Sequence, residues 1–332
     1  MVDNAPKGMA GEWDIDLLAN EWDIPELEEL GFDLRELGLD FGDGGEPGLT
    51  DPDEVPEEPA EPVSKTGDIW LLGEHRVMCG DSTSKADVDR LMDGKKADLC
   101  FTSPPYNLGK SVGLRNGARK GKLSAYNETS DTGEGWEYLM RSFLSLALDI
   151  SQCVVCNVQL LSGNKIELLS LFGEYAKKTI DIGIWVKSNP QPAMAEGVMT
   201  SAFEFIWMLT GGQNPNRRIK TASFNRGTFS NVFESPTASG HDASVHGAVF
   251  PVKVAEHYIV GLSVKGSGIY DPFLGSGTTL IAAEKTTRTC YGMEISPAYV
   301  DVIITRWQNF TGQKAVHAET GKTFDEMKKE QS

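Results

Sequence analysis

Downstream of residue 66, short apolar runs alternate with amphipathic stretches along most of the chain. Residues 68–72 and 75–79 read as strands, Gly80-Asp81-Ser82 as a turn, and residues 84–92 as a helix with Ser84 as N-cap. The next run, Asp98-Leu-Cys-Phe-Thr-Ser-Pro-Pro-Tyr-Asn107, is β-forming until Pro104 and Pro105 forbid its continuation as strand or helix. Helical periodicity covers residues 135–150 and 165–177, with strands at 153–158 and 179–187. Residues 188–245 break the alternation and hold a single apolar strand, Phe203–Leu209, in loop-like sequence. The pattern resumes with a helix from Pro251 to about Val264, a strand end at 267–273, a glycine-rich turn and a helix to Lys285. A strand at 288–294 and a helix at 296–309, capped by Ser296 with Pro297 in first position, complete it. The tail from Gly312 is polar, and no internal repeat is visible. Such alternation predicts an α/β domain with a mostly parallel sheet and helices on both faces.

Two turns leave this sheet with chemistry on them. The prolines fix φ at 104 and 105, so the Ser103 hydroxyl, the Pro104 carbonyl and the Tyr106 ring are held with little freedom. In an open α/β sheet, ligands bind beyond the carboxyl ends of the strands, where this turn is expected. The second turn, Asp271-Pro-Phe-Leu-Gly-Ser-Gly-Thr278, lies between a strand and a helix, where Gly275 and Gly277 allow close approach of backbone to a ligand. Glu294 follows Gly275 by 19 residues, at the end of the next strand, where a carboxylate can accept hydrogen bonds from ribose hydroxyls. A phosphate cradle would want a lysine or a full GxGxxG, and neither is present. Asp271 instead favours a ligand carrying an ammonium group, which points from dinucleotides toward S-adenosylmethionine.

Charge separates the chain into two parts. The whole carries a formal net charge of −17, but residues 1–62 hold 20 acidic residues against Lys7 and Arg35, while residues 63–332 hold 28 acidic and 29 basic residues. Residues 42–65 are rich in Pro, Gly and Glu and read as a linker, with the domain boundary near Val63. The acidic arm reads as a solvated tail; a sharper expectation is that it folds over a basic cleft and competes for it. Residues 107–127 form a basic loop with Lys110, Arg115, Arg119, Lys120 and Lys122, and residues 205–233 carry Arg217, Arg218, Lys220 and Arg226 with no acidic residue. Phe224, Phe229 and Phe233 lie among the latter, a composition suited to phosphate contacts and base stacking. The five cysteines (79, 100, 153, 156 and 290) sit mostly in apolar runs, as expected of reduced thiols. Cys153 and Cys156 have CxxC spacing but no second pair and no nearby His. No stretch has the length of a membrane span and no cleavable leader pattern is seen, so a cytoplasmic protein is expected.

TSPPY at 102–106 followed by DPFLGSGTT at 271–279 resembles the DNA amino-methyltransferases that modify an exocyclic base nitrogen, and the motif order resembles their beta, circularly permuted class. The likeness covers roughly residues 66–312. Val77-Met-Cys-Gly-Asp81 resembles the element before the catalytic strand and Ile184-Trp-Val-Lys187 the strand after it, while Asn231-Val-Phe with His246-Gly-Ala-Val-Phe-Pro251 resembles an HPAxFP segment in which Gly247 replaces Pro.

The resemblance implies a Rossmann-like S-adenosylmethionine-dependent fold over residues 63–332, with 188–245 as target-recognition insert. It implies that Asp271 pairs with the methionine ammonium, that Gly275, Ser276, Gly277 and Thr278 form the close-approach turn, and that Glu294 holds the ribose. Asp81 would hold the adenine amino group and Phe273 would pack against the cofactor. Ser103 and Pro104 would accept the amino N–H bonds of a flipped base, Pro105 would stiffen the turn, and Tyr106 would stack on the base. The basic residues would bind duplex DNA. No metal is called for, and Pro105 is followed by Tyr106 rather than by a cysteine nucleophile, which argues against cytosine C5 chemistry. Ser at 103 leans toward cytosine N4, with adenine N6 as the alternative. An RNA or protein methyltransferase would normally have the glycine motif first, and a nonenzymatic DNA-binding subunit would be expected to lose Asp271, Ser103 or Tyr106. The oligomeric state, a dimer included, is left open.

Overall fold

The computed structural model describes residues 48–331 except 107–132, 191, 194–195, 214, 226–227 and 238–249. Its ten strands are β1 (Ile69–Leu72), β2 (His75–Cys79), β3 (Ala97–Thr102), β4 (Ser151–Val158), β5 (Thr179–Lys187), β6 (Phe203–Leu209), β7 (Val232–Ser235), β8 (Gly268–Asp271), β9 (Thr289–Glu294) and β10 (Val316–His317). The helices are α1 (Lys85–Met92), α2 (Gly133–Ile150), α3 (Lys165–Glu174), α4 (Val252–Leu262), α5 (Thr278–Lys285), α6 (Pro297–Thr311) and α7 (Phe324–Gln331). The strands form one sheet in the order β10-β1-β2-β9-β8-β3-β4-β6-β5-β7. The five strands from β2 to β4 are mutually parallel, whereas β6 runs antiparallel to both β4 and β5.

Burial explains why these segments read so clearly. The parallel strands are covered on both sides and so are nearly continuous apolar runs, as in β3 and β4. One core layer packs α4, α5 and α6 on one face of the sheet, and a second packs α1, α2 and α3 on the other. Cys153 belongs to the first layer and Cys156 to the second. Three residues apart on a strand, they point to opposite faces, and burial pushes the Cys153 thiol up to about 12. The helix ends follow local chemistry: Ser84 accepts from the Asp87 N–H, and Pro297 opens α6, which Gly312 ends at φ +74°. α3 ends at Glu174, three residues before the periodicity predicts, and α4 ends at Leu262.

Two polar segments are more ordered than their composition predicts. In the stretch read as linker, the Leu49 N–H donates to the Phe310 carbonyl and the Pro52 carbonyl accepts from Arg306. Asp53 accepts the Val252 N–H at the start of α4, and Val63 and Ser64 donate to the buried carboxylate of Asp301 on α6. Hydrogen bonds from backbone and carboxylate groups, together with burial of Val55 and Val63, hold residues 48–64 against the domain. Residues 1–47 lie outside the described residues. In the tail, β10 pairs with β1 and Phe324 meets the Trp70 ring edge-on at 5.4 Å. A two-residue strand and a charge-rich helix carry too little periodicity to read. No helix among the described residues is long and apolar enough to cross a membrane.

Candidate functional site

The chain continues from β3 toward β4 on one side of the sheet and from β8 toward β9 on the other, so the neighbouring strands β3 and β8 bound a topological switch point. Both chemistry-bearing turns leave from it. The Thr102 hydroxyl, on the last residue of β3, donates to Asp271 Oδ1 at 2.6 Å, and Asp271 is the last residue of β8. That bond fixes the start of the Ser103-Pro104-Pro105-Tyr106 turn against the start of the glycine turn.

The glycine turn is shaped by backbone and by a cation from beneath. Gly275 and Gly277 have φ +55° and +91°, left-handed values that favour glycine, and Gly277 precedes the first residue of α5. Buried Arg306 of α6 donates to the Ser276 carbonyl and to the Ser276 and Thr278 hydroxyls, so these two side chains brace the turn. Phe273 is buried edge-on against Phe143, 4.9 Å between centroids, and its N–H donates to Asp271 Oδ1. Glu294, at the end of β9, accepts the Gly275 N–H at 3.0 Å and the Ser296 N–H at 2.9 Å. Asp271 and Glu294 are both buried, and burial, outweighing the bonds they accept, pushes their carboxyls up to about 6 and about 7. The Asp271 charge raises Glu294 further. Neither carboxylate has a cationic side chain within ion-pair distance among the described residues. Asp81 follows β2, beside β9; its Oδ1 accepts from the Thr83 N–H and hydroxyl, both at 2.8 Å, which closes the turn.

The proline turn is braced differently. The Trp136 indole N–H donates to the Pro105 carbonyl, and Asn164 donates to the Tyr106 carbonyl at 2.8 Å. No donor among the described residues reaches the Pro104 carbonyl. The Tyr106 hydroxyl sits 2.7 Å from Glu204 Oε2, 3.1 Å from Asn157 Nδ2 and 3.0 Å from the Ser103 hydroxyl. Glu204 also accepts from Asn157 at 2.7 Å and is ion-paired through Oε1 with Lys187 at 2.6 Å. Burial and the Glu204 charge hold the Tyr106 hydroxyl well above its ordinary range.

The sequence marked Ser103, Pro104, Pro105, Tyr106, Asp81, Asp271 and Glu294, and all seven end or follow strands β2, β3, β8 or β9 at one edge of the sheet. It did not mark Thr102, Trp136, Asn157 or Glu204. A signal was available: Glu204 is the one polar residue of β6, and Asn157 interrupts the apolar run Cys153–Val158 that ends β4. The insert behaves otherwise than its composition predicts. Phe229 and Phe233 stack on His257 with centroids 4.5 and 4.0 Å apart, and Phe224 stacks on Phe229, so these aromatics pack on α4 and the core instead of standing free for bases. Burial holds the His257 imidazole down to about 4. Arg217 is ion-paired with Asp181, near the start of β5 and therefore at the opposite edge of the sheet from Lys187 and Tyr106. Arg218 and Lys220 are exposed. Lys110, Arg115, Arg119, Lys120, Lys122, Arg226 and the segment 246–249 with Gly247 lie outside the described residues.

The family model for DNA methylases of the N6/N4 type matches residues 97–305. The chain is 30% identical over 133 residues to the type II methyltransferase M.Cfr9I of Citrobacter freundii, covering 38% of this chain and 43% of that protein. It is 30% identical over 129 residues to the type II methyltransferase M.SmaI of Serratia marcescens, covering 36% and 42%. The chain thus spans less than half the length of these relatives. Among solved structures, the PvuII DNA methyltransferase, described as cytosine-N4-specific, superposes with a TM-score of 0.49 at 18% identity, covering 76% of this chain and 90% of that one.

Proposed function

The chain belongs to the N6/N4 DNA methylase family, and we propose that it transfers a methyl group from S-adenosylmethionine to the exocyclic amino nitrogen of a base flipped out of duplex DNA. The observation that carries this reading is the Thr102–Asp271 bond, which holds an acceptor-rich proline turn against a desolvated acidic turn. The residues fit the cofactor: two buried carboxylates with no cationic partner among the described residues are suited to a ligand that brings one, and the positive-φ glycines leave room beside them. Asp271 receives the ammonium, Glu294 the ribose hydroxyls, and Asp81 the adenine amino group. When bound, S-adenosylmethionine supplies a methyl group on a sulfonium, open to direct displacement.

The amino nitrogen of a base is a poor nucleophile because its lone pair is delocalised into the ring. Ser103 Oγ and the Pro104 carbonyl accept its two N–H bonds, which favours a pyramidal nitrogen and turns its lone pair out of the ring plane. Tyr106 lies along the base face, with its hydroxyl held by Glu204 and Asn157. Serine at 103 favours cytosine N4 as the acceptor. Incubation with labelled S-adenosylmethionine and duplex DNA, followed by mass spectrometry of the nucleosides, should yield N4-methylcytosine. N6-methyladenine would change the base, and no methyl transfer by folded, cofactor-bound protein on any duplex would overturn the reading.

A further inference from the structure

The hydrogen bonds around Tyr106 have only one consistent direction. A tyrosine hydroxyl offers one proton and two lone pairs. Glu204, as the anionic half of its pair with Lys187, offers acceptors only, and the Asn157 amide nitrogen offers donors only. The Tyr106 proton therefore goes to Glu204 at 2.7 Å and one of its lone pairs to Asn157 at 3.1 Å. One lone pair remains for Ser103, 3.0 Å away, so the Ser103 hydroxyl must donate to Tyr106. With its proton committed inward, Ser103 Oγ can only accept from any other partner. Meanwhile the Pro105 and Tyr106 carbonyls are already engaged by Trp136 and Asn164, whereas the Pro104 carbonyl has no donor among the described residues.

We propose that Glu204, with Lys187 as its counter-charge, is a positioning residue for methyl transfer: it sets the direction of the chain Ser103→Tyr106→Glu204 and so keeps Ser103 Oγ an acceptor toward the base amino group. The inference rests on the methyl-transfer reading of the proline turn. It assigns a task to a side chain whose contacts are Tyr106, Asn157 and Lys187. It also explains a carboxylate buried at the start of an apolar strand: β6 runs antiparallel to both its neighbours, so its N-terminal end lies beside the carboxyl ends of β4 and β5, which supply Asn157 and Lys187. The raised Tyr106 keeps its proton, as a link in such a chain must.

The test is single-turnover methylation of duplex DNA, with cofactor affinity measured alongside. Glu204→Gln replaces an acceptor-only group by one that can also donate to Tyr106, which removes the bias. The expected result is a rate lower by at least ~10-fold, toward the ~100-fold seen when one oriented hydrogen bond is lost from a reacting centre, with cofactor affinity within about twofold of wild type. Lys187→Met/Glu204→Gln removes both charges, leaves no unpaired ammonium to unfold the site, and should show the same loss. In a Tyr106→Phe background, Glu204→Gln should add no more than about a factor of two, because the effect travels through the tyrosine hydroxyl. A Glu204→Gln rate within twofold of wild type, or losses that multiply in the double variant, would overturn the inference while leaving wild-type transfer, and the functional reading, intact. Absence of transfer by the wild type marks the separate failure of that reading.

Discussion

Two sets of buried carboxylates stand at the same edge of the sheet and are treated in opposite ways. Glu204 has its cation built in: Lys187 lies 2.6 Å away, and two further donors complete its shell. Among the described residues Asp271 and Glu294 have only neutral donors, and burial drives both carboxyls upward, to about 6 and about 7. A buried charge that is paired is a fixed part of the frame, whereas one left unpaired carries a cost that a cationic ligand can relieve. On the proposed reading, the difference separates the half of the site that orients from the half that binds.

The largest expected effect breaks the binding half alone. Asp271→Asn keeps an oxygen for the Thr102 hydroxyl and the Phe273 N–H but removes the charge. S-adenosylmethionine affinity should fall by about 3 kcal/mol, roughly a hundredfold, by calorimetry. The same substitution should raise the melting temperature of the cofactor-free protein at pH 8, because a buried unpaired charge has gone. An unchanged affinity would remove Asp271 from the cofactor's ammonium.

A smaller effect follows from pH. The folded-state pKa of Asp271 lies above its ordinary 3.8 and that of Glu294 above 4.5. Both groups therefore stabilise the free protein most at low pH, and that contribution is lost as pH rises from about 4 to about 6 for Asp271 and from about 4.5 to about 7 for Glu294. A cationic cofactor favours the charged forms and reverses the trend. Its affinity should weaken as pH falls below about 7, by up to about tenfold per pH unit for each carboxyl that must ionise, with protons released on binding. Calorimetry in buffers of different ionisation heat would detect them, and binding without proton release between pH 5.5 and 7 would contradict the raised values.

The smallest expected effect calibrates the paired case. Asp181–Arg217 is a carboxylate–guanidinium pair on the surface at the opposite edge of the sheet. Arg217→Ala should change stability by less than about 0.5 kcal/mol in denaturant titration, with DNA affinity unchanged. A clear loss of DNA affinity would place Arg217 on the binding surface that its basic, aromatic surroundings predict.

Local physics made much of this legible. Consecutive prolines end β3 wherever that strand lies, glycines between a strand and a helix announce a close-approach turn, and apolar runs mark strands covered on both faces, so the sequence alone determined the α/β alternation, both turns and the acidic residues at the strand ends. What the tertiary structure decided depends on residues distant in the chain. Only the sheet order brings Thr102 to Asp271, 169 positions later, and joins the two turns into one site. Only the antiparallel entry of β6 between β4 and β5 brings Glu204 beside Tyr106. Only packing turns Phe229 and Phe233 inward onto His257 and straps residues 48–64 onto α6. Desolvation belongs to the same class: a carboxylate's pKa is set by what surrounds it in space, and the neighbours that leave Asp271 unpaired and Glu204 paired come from other strands.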